Sequence, residues 1–237
     1  PSIAYIIIGL VLGISASTLF LAAAVPGLMI MLSIMATNLV MNRLHGYEVA
    51  GGGFSLRRLS RALVAGRYAL LVPVIILGGI YSGVFTPTEA AAVAVMTTIV
   101  IGLAQGTLTL ADFPQMLASS AKVNGVIVPI IAMSLPLAQT LAILQVPQGF
   151  VQAVTGLTTD PTLIVLLIIA ILIAAGCVME TTPNIVILSP ILLPLAREAG
   201  LDDIHFCIVM VTALGVGFIT PPLGLNLFVV AGLTGTS

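Results

Sequence analysis

Residues 215–228 read GVGFITPPLGLNLF, and they interrupt an apolar segment with three glycines, two adjacent prolines, a threonine and an asparagine. Proline lacks a backbone donor and clashes with the preceding helical turn, so a continuous α-helix is not expected through this stretch. The sequence therefore predicts a broken helix, with apolar halves at 205–214 and 223–233 and an unwound stretch between them. A proline-kinked helix packed on its neighbours is the alternative.

The composition of the chain indicates an integral membrane protein. Of its 237 residues, 59% are hydrophobic and only 6% are charged, whereas a soluble domain has roughly 25% charged residues.

Unwound backbone in lipid is tolerated only where it is buried or lines a wet cavity. Freed carbonyls suit a small cation and half-helix N-termini suit an anion, so the break at 215–228 predicts a transport site.

Nine apolar runs predict the helices, at 3–13, 19–41, 68–85, 88–104, 123–145, 161–178, 185–196, 205–214 and 223–233. The first run and the last three are too short to cross a bilayer of roughly 30 Å. Short, Gly/Pro-interrupted segments of this kind point to a transporter binding site. We expect a surface helix or elbow at 108–122 and an external connection at 145–161.

The basic residues predict the orientation of the chain. Five of its seven Lys and Arg residues lie in the segment 42–67, which the positive-inside rule places in the cytoplasm; they are Arg43, Arg57, Arg58, Arg61 and Arg67. The stretch FSLRRLSRALV (54–64) is basic and amphipathic, so it is either a helix on the lipid surface or a solvated loop helix. Thr86-Pro87-Thr88-Glu89 is typical of a capped helix start.

A second polar interruption lies between two apolar arms, 161–178 and 185–196. Its residues are Met179-Glu180-Thr181-Thr182-Pro183-Asn184, and a charged group in hydrocarbon by default faces a cavity or a partner. Either 161–178 crosses the membrane and 179–184 is an ordinary loop, or 161–198 is a re-entrant hairpin with its tip at 179–184. Pro190 and Pro194 interrupt the second arm, which favours the hairpin.

The two ends of the chain resemble each other weakly. PSIAYIIIGLVLGIS (1–15) and PLGLNLFVVAGLTGTS (222–237) share a proline, an apolar run and a closing Gly-x-Ser, with Gly13 aligned to Gly235 and Ser15 to Ser237. The predicted topology puts these motifs on opposite faces of the membrane, as an inverted-topology repeat requires. We therefore expect the chain to begin late in one repeat and to end late in the next.

Three stretches resemble the large membrane subunit of tripartite ATP-independent periplasmic (TRAP) transporters: VPVIILGGIYSGVFTPTEAAAVAV (72–95), METTPNIVILSPILLPLA (179–196) and HFCIVMVTALGVGFITPPLGLNLFVVAGLTG (205–235). The resemblance covers essentially the whole chain. It implies that the chain is the C-terminal portion of such a subunit and that a first hairpin precedes Pro1. It implies an all-α, inverted-repeat, elevator-type transporter. Its regions would be the end of the first repeat (1–41), a cytoplasmic basic loop (42–67), scaffold and connecting helices (68–160), and a transport-domain hairpin with a broken helix (161–237).

The resemblance also implies a function. Sodium would drive import of an organic acid anion, such as a C4-dicarboxylate or a sialic acid, across a bacterial inner membrane. A periplasmic binding protein would deliver the substrate and a small membrane subunit would be the partner. Sodium, the only ion or cofactor implied, would bind through Thr182, Asn184, Gly215 and Thr220. The wider set of ion and substrate candidates is Glu180, Thr181, Thr182, Asn184, Gly215, Gly217, Thr220, Pro221 and Asn226.

Three other functions are weighed against sodium-coupled transport. Proton coupling stays open, because Glu180 is the one carboxylate of the candidate set. A membrane-embedded enzyme is disfavoured, since the chain has no HExxH, GxSxG or CxxC motif, and His45 and His205 lie outside the candidate set. A purely structural subunit would have continuous helices without polar clusters. Cys177 and Cys207 lack metal-ligand spacing, and a net charge of −1 without a basic-aromatic run gives no indication of a nucleic-acid partner.

Overall fold

The computed structural model describes residues 2–46, 55–221, 224, 226–227 and 230–231. Within these residues all regular structure is helical, as predicted. The helices are α1 (Ile3–Leu12), α2 (Ala16–Ala22), α3 (Ala24–His45), α4 (Leu56–Ala65), α5 (Arg67–Tyr81), α6 (Pro87–Ala104), α7 (Phe113–Ile143), α8 (Val146–Thr155), α9 (Pro161–Gly176), α10 (Thr181–Glu198) and α11 (Asp203–Gly217).

The described residues form two compact units. One unit contains residues of 1–23 and 120–237, and the other contains residues of 24–119. We call them the hairpin unit and the basic-loop unit. The four regions expected from the sequence, with boundaries at 41, 67 and 160, stay a prediction.

The basic-loop unit contains helices whose apolar side chains are mostly exposed. None of the described residues of α3 or α4 is buried. Helices α5 and α6 pack against each other across a tight turn, in which Val84 and Phe85 donate backbone hydrogen bonds to the Gly79 carbonyl. The predicted cap of α6 is confirmed: Thr86 accepts from the Glu89 amide, the Glu89 carboxylate accepts from the Thr86 amide, and Pro87 opens the helix.

Within the described part of the chain, three segments are long and apolar enough to cross a membrane: Ala24–His45, Pro87–Ala104 and Leu110–Ile143. A fourth results if α4 and α5, which are bent by 75° at Gly66, form one broken span. The shorter apolar helices α1, α9 and α11 all belong to the hairpin unit. The runs 3–13 and 205–214 are short, as the sequence predicts. The run 161–178 is shorter than expected, and 185–196 is part of the 18-residue α10.

Helix α10 is the centre of the hairpin unit. It packs against α1, α8, α9 and α11, and nine of its residues are buried. Helices α9 and α10 pack against each other as a helical hairpin, whose tip is the four residues 177–180. The predicted tip, 179–184, is wrong in its second part, because 181–184 form the first turn of α10. Re-entry of this hairpin into the membrane stays a prediction. Large side chains that are fully buried form the core of the unit: Ile8, Leu19, Ile164, Ile168, Leu172, Ile185, Leu192, Leu195, Phe206, Met210 and Leu214.

Several predicted helix limits are wrong. The run 19–41 is divided at Ala23 between α2 and α3, and the elbow at 108–122 is mostly the start of the 31-residue α7. The connection 145–161 contains α8, and α10 is continuous through Pro190 and Pro194. Prolines are tolerated inside membrane helices where neighbouring helices compensate for the lost hydrogen bonds, and α10 has neighbours on several sides.

The predicted break after α11 is present, but it starts later than expected. Gly215 and Gly217 belong to the last turn of α11 rather than to an unwound stretch. The chain then turns at 218–221, and the described residues 226–227 and 230–231 are helical again. The rest of the predicted second half, 223–233, lies outside the described residues. A glycine inside a helix costs only about 1 kcal/mol, which packing against α9 offsets.

Helices α9 and α11 touch through glycine backbones. A Cβ atom added at Gly217 would lie 2.7 Å from the Gly176 Cα and 2.7 Å from the Ile173 carbonyl oxygen. A Cβ added at Gly176 would lie 2.9 Å from the Leu214 carbonyl oxygen. Real Cβ contacts are not this short, and backbone atoms cannot move aside as a flexible side chain does. The two helices therefore need glycine at both positions.

We predict that Gly217→Ala destabilises the hairpin unit. Overpacking costs roughly 1–3 kcal/mol, which lowers the melting temperature of the full-length protein by several degrees. A thiol-reactive dye measures this unfolding in detergent, because Cys177 and Cys207 are buried in the folded chain. Gly125→Ala on α7 is the control, since its Cβ meets no atom within 4 Å. An equal effect of both variants would contradict the prediction.

Candidate functional site

A cavity of about 320 Å³ lies where the hairpin tip, α1 and the end of α11 meet. Five of the nine candidate site residues line this cavity: Glu180, Thr181, Thr182, Gly215 and Asn226. Its other lining residues are Ser2, Ile3, Ala4, Val211 and Phe218. The structure thus joins the two polar interruptions that the sequence separates by more than thirty residues.

The N-terminus of α10 forms one wall of the cavity. Glu180 is the N-cap residue in an extended conformation, and its side chain makes no capping hydrogen bond. The first amides of a helix have no partner within the helix, so the start of α10 combines free donors with the Thr181 and Thr182 hydroxyls. Thr182 is buried, whereas Glu180 is exposed.

Asn184 holds the hairpin tip from behind the cavity. Its side chain is fully buried, and its Nδ2 donates to the carbonyl oxygens of Ala175 and Met179, both at 3.1 Å. These bonds tie the first turn of α10 to the last turn of α9 and to the tip. The Oδ1 atom of Asn184 has no hydrogen-bond partner among the described residues. Asn184 is not part of the cavity lining, and its predicted role as a sodium ligand stays a prediction.

The break after α11 forms a second wall. The Thr220 hydroxyl donates to the Val216 carbonyl at 2.7 Å, and the backbone amide of Asn226 donates to the Phe218 carbonyl at 3.4 Å. These contacts shape the turn between α11 and the helical residues that follow it. Gly217, Thr220 and Pro221 are not among the residues that line the cavity. Their predicted ion-binding roles also stay predictions.

Sequence reasoning missed the contribution of α1. Ser2, Ile3 and Ala4 line the cavity, and the Ser2 Oγ accepts from the Ala4 amide at 3.3 Å as the N-cap of α1. The alignment that pairs Gly13 with Gly235 also pairs Ala4 with Asn226. Ala4 and Asn226 both line the cavity. Applied to the candidate Asn226, the weak internal repeat would therefore have predicted Ala4 as a lining residue.

The far end of α10 carries a different polar group. Arg197 donates to both carboxylate oxygens of Asp203 at 2.8 and 2.7 Å, across the turn that joins α10 to α11. This hydrogen bonding lowers the pKa of the Asp203 carboxyl. Asp202 caps α11 by accepting from the Ile204 amide. No group of three or more His, Cys, Asp or Glu side chains in the described residues is arranged to hold a metal ion.

This architecture is that of an integral membrane protein: apolar helices of spanning length, a helical hairpin, and a broken helix beside a cavity lined by both polar and apolar residues. Over residues 1–237 the chain matches the family described as tripartite ATP-independent periplasmic transporter, DctM component. The chain belongs to this family, and the resemblance found in its motifs is confirmed.

Relatives with known names support the same conclusion. The chain is 39% identical over 236 residues to the C4-dicarboxylate TRAP transporter large permease protein DctM of Pseudomonas aeruginosa, covering 99% of this chain and 55% of that protein. It is 37% identical to the isethionate TRAP transporter permease protein DctMQ of Oleidesulfovibrio alaskensis, covering 98% of this chain and 37% of that protein. Identity to the sialic acid TRAP transporter large permease protein SiaM of Vibrio cholerae is 33%, covering 98% and 54%.

These relatives are named as transporter permeases, not as enzymes. The chain spans about half the length of the large permease relatives it matches, and less of the longer isethionate protein.

We predict that Asn184→Ala loosens the hairpin tip. The substitution removes the two hydrogen bonds that the Asn184 side chain donates, to the Ala175 and Met179 carbonyls, and each lost hydrogen bond costs roughly 0.5–1.5 kcal/mol. Local opening should then expose Cys177 and raise its alkylation rate by about tenfold or more. Maleimide labelling of the full-length protein in a Cys207→Ala background measures this rate.

Ser189→Ala is the matched control for Asn184→Ala. Ser189 is fully buried on the same helix, and its hydroxyl has no hydrogen-bond partner among the described residues. Its removal should leave Cys177 alkylation unchanged. If both variants alter the rate equally, the amide of Asn184 has no special role at the tip.

Proposed function

We propose that this chain belongs to the membrane subunit of a secondary active transporter that imports an organic acid anion together with sodium. The observation that carries the proposal is the cavity at the hairpin tip, where the ends of three helices converge around hydroxyl, carboxylate and amide groups. A substrate-binding protein in the periplasm and a small membrane subunit complete the transporter. The bacterial inner membrane is its location, with residues 42–67 on the cytoplasmic side.

The chemistry of the cavity supports sodium as the coupling ion. Sodium is a hard cation and prefers oxygen ligands, which the Thr182 hydroxyl, the Glu180 carboxylate and the Asn226 side chain supply. Helix C-termini carry partial negative charge, and α11 ends beside the cavity at Gly217. Gly215 in its last turn leaves the backbone open, because no side chain covers it.

The part of the cavity that lies at the helix N-termini suits a carboxylate group of the substrate. The N-termini of α1 and α10 both reach it, and free amides with partial positive charge attract anions. Relatives are named for C4-dicarboxylate, isethionate and sialic acid, all of which are organic anions. This shared chemistry supports an organic acid as the substrate class of the intact transporter.

Transport by the intact protein tests the proposal. The full-length subunit, its small subunit and the cognate binding protein are reconstituted in proteoliposomes, and uptake of a panel of radiolabelled carboxylates is measured. We expect uptake to require both an inward sodium gradient and the binding protein. Uptake that proceeds at the same rate without sodium would overturn the sodium coupling.

We predict that Glu180→Gln distinguishes sodium from proton coupling. Glu180 lines the cavity and its side chain is free of capping hydrogen bonds. With sodium as the coupling ion, the neutral amide keeps an oxygen ligand, so sodium-driven uptake should persist with about tenfold weaker sodium affinity. Uptake is measured against sodium concentration at fixed pH.

Glu198→Gln is the control for Glu180→Gln, since Glu198 is an exposed glutamate at the other end of α10. It should leave the sodium dependence unchanged. Complete loss of uptake in Glu180→Gln, with proton-driven uptake in the unaltered protein, would make Glu180 a proton carrier instead.

A further inference from the structure

We propose that α4 is an anchor that lies in the plane of the membrane and binds anionic phospholipid head groups through Arg57, Arg58 and Arg61. The sequence leaves two alternatives for this helix, a lipid-surface helix and a solvated loop helix. The structure supplies three observations that separate them, namely its amphipathic faces, its bend relative to α5, and its weak support as an isolated helix.

The two faces of α4 differ in chemistry. At 3.6 residues per turn, the three arginines fall within about 100° of arc on one side of the helix. Leu56, Leu59 and Leu63 fall within about 60° of arc on the opposite side. All of these leucines are exposed, and no residue of α4 is buried. The described protein therefore leaves the apolar face uncovered.

The bend at Gly66 orients α4. Helix α5 packs against α6 across a tight turn, and α6 has the length and hydropathy of a membrane span. Since α5 lies alongside a spanning helix, its axis runs across the bilayer. The 75° angle between α4 and α5 then places α4 close to the membrane plane.

Arg67 and Tyr68 support this bend. The Arg67 guanidinium donates to the Val64 carbonyl at the end of α4, donates to the Tyr68 hydroxyl, and lies 4.5 Å from the centroid of the Tyr68 ring. Tyrosine is enriched at membrane interfaces, and Tyr68 marks the point where α5 begins. The bend therefore lies at the level of the head groups.

In water and without contacts, α4 would be only marginally stable as a helix. It has only ten residues, and helices shorter than roughly 12–15 residues are marginal in water. Its N-cap residue Ser55 makes no side-chain capping hydrogen bond, and the first turn has no acidic residue. Arg57 and Arg58 instead bring positive charge to the positive end of the helix dipole.

An anionic bilayer surface provides the apolar contacts and the negative charge that the described protein does not give α4. Lipid chains accept the leucine face, and phosphate groups neutralise arginines that form no ion pair with the described residues. Residues 55–67 contain no acidic side chain. Each Arg near an anionic surface strengthens binding by roughly fivefold, so the three arginines together should strengthen it by roughly a hundredfold.

Spin labelling tests the position of α4. Nitroxides are placed one at a time at residues 56–65 of the cysteine-free full-length protein, with its small subunit, in nanodiscs of phosphatidylcholine and phosphatidylglycerol at 3:1. We expect oxygen accessibility to peak at 56, 59 and 63, and accessibility to a water-soluble nickel chelate to peak at 57, 58 and 61. High nickel accessibility at the leucine positions would show a solvated helix, and low accessibility to both reagents there would show a protein cover. Either result would overturn the proposal.

Lipid retention tests the head-group chemistry. Native mass spectrometry measures phosphatidylglycerol and phosphatidylcholine bound to the detergent-solubilised full-length protein during titration with each lipid. The variant Arg57→Gln/Arg58→Gln/Arg61→Gln should bind phosphatidylglycerol roughly a hundredfold more weakly, with phosphatidylcholine binding unchanged. The matched variant Arg57→Lys/Arg58→Lys/Arg61→Lys keeps the charge and should bind like the unaltered protein. Equal phosphatidylglycerol affinity in the glutamine variant would overturn the assignment.

Discussion

The backbone contact between Gly176 and Gly217 is the constraint on which the candidate site depends. It brings the last turn of α9 against the last turn of α11 at a distance that no larger residue permits. The hairpin tip follows α9 directly, and the helix break follows α11 directly. Two polar interruptions far apart in sequence therefore become neighbours. Small residues serve this purpose in membrane proteins because association in lipid depends on close packing rather than on hydrophobic burial.

Helix ends that lie close together can bind a ligand, but their backbone groups also need hydrogen-bond partners. Unpaired amides and carbonyls at the ends need partners, and lipid provides none. At the hairpin tip, the Asn184 side chain donates to the Met179 carbonyl and adds a hydrogen bond to the Ala175 carbonyl, which also accepts from the Val178 and Met179 amides. Glu180, in contrast, leaves the start of α10 without a side-chain cap. The structure thus separates polar groups that hold the tip from polar groups left facing the cavity. Only the second set is free to bind an ion or a substrate.

The sequence predicts the hairpin and the break because both arise from strong local signals, such as Pro221-Pro222 and the Glu180 to Asn184 run. Helix limits were harder to predict, since the cost of Gly217 or Pro190 inside a helix depends on neighbours in space. The contribution of Ser2, Ile3 and Ala4 was missed for a different reason. Nothing in these residues is chemically unusual, and only the alignment of the two chain ends relates Ala4 to Asn226.

The two units are stabilised by different means, and this decides where substitutions matter. In the hairpin unit α10 is surrounded by other helices, so volume and hydrogen bonding at Asn184 or Gly176 affect stability directly. In the basic-loop unit α3 and α4 bury no described residue, so protein packing contributes little to holding them. Their apolar side chains are mostly exposed in the described structure. Conservative changes on α3 should therefore matter less than a single charge placed there, because the membrane tolerates a change of shape but not an unpaired charge.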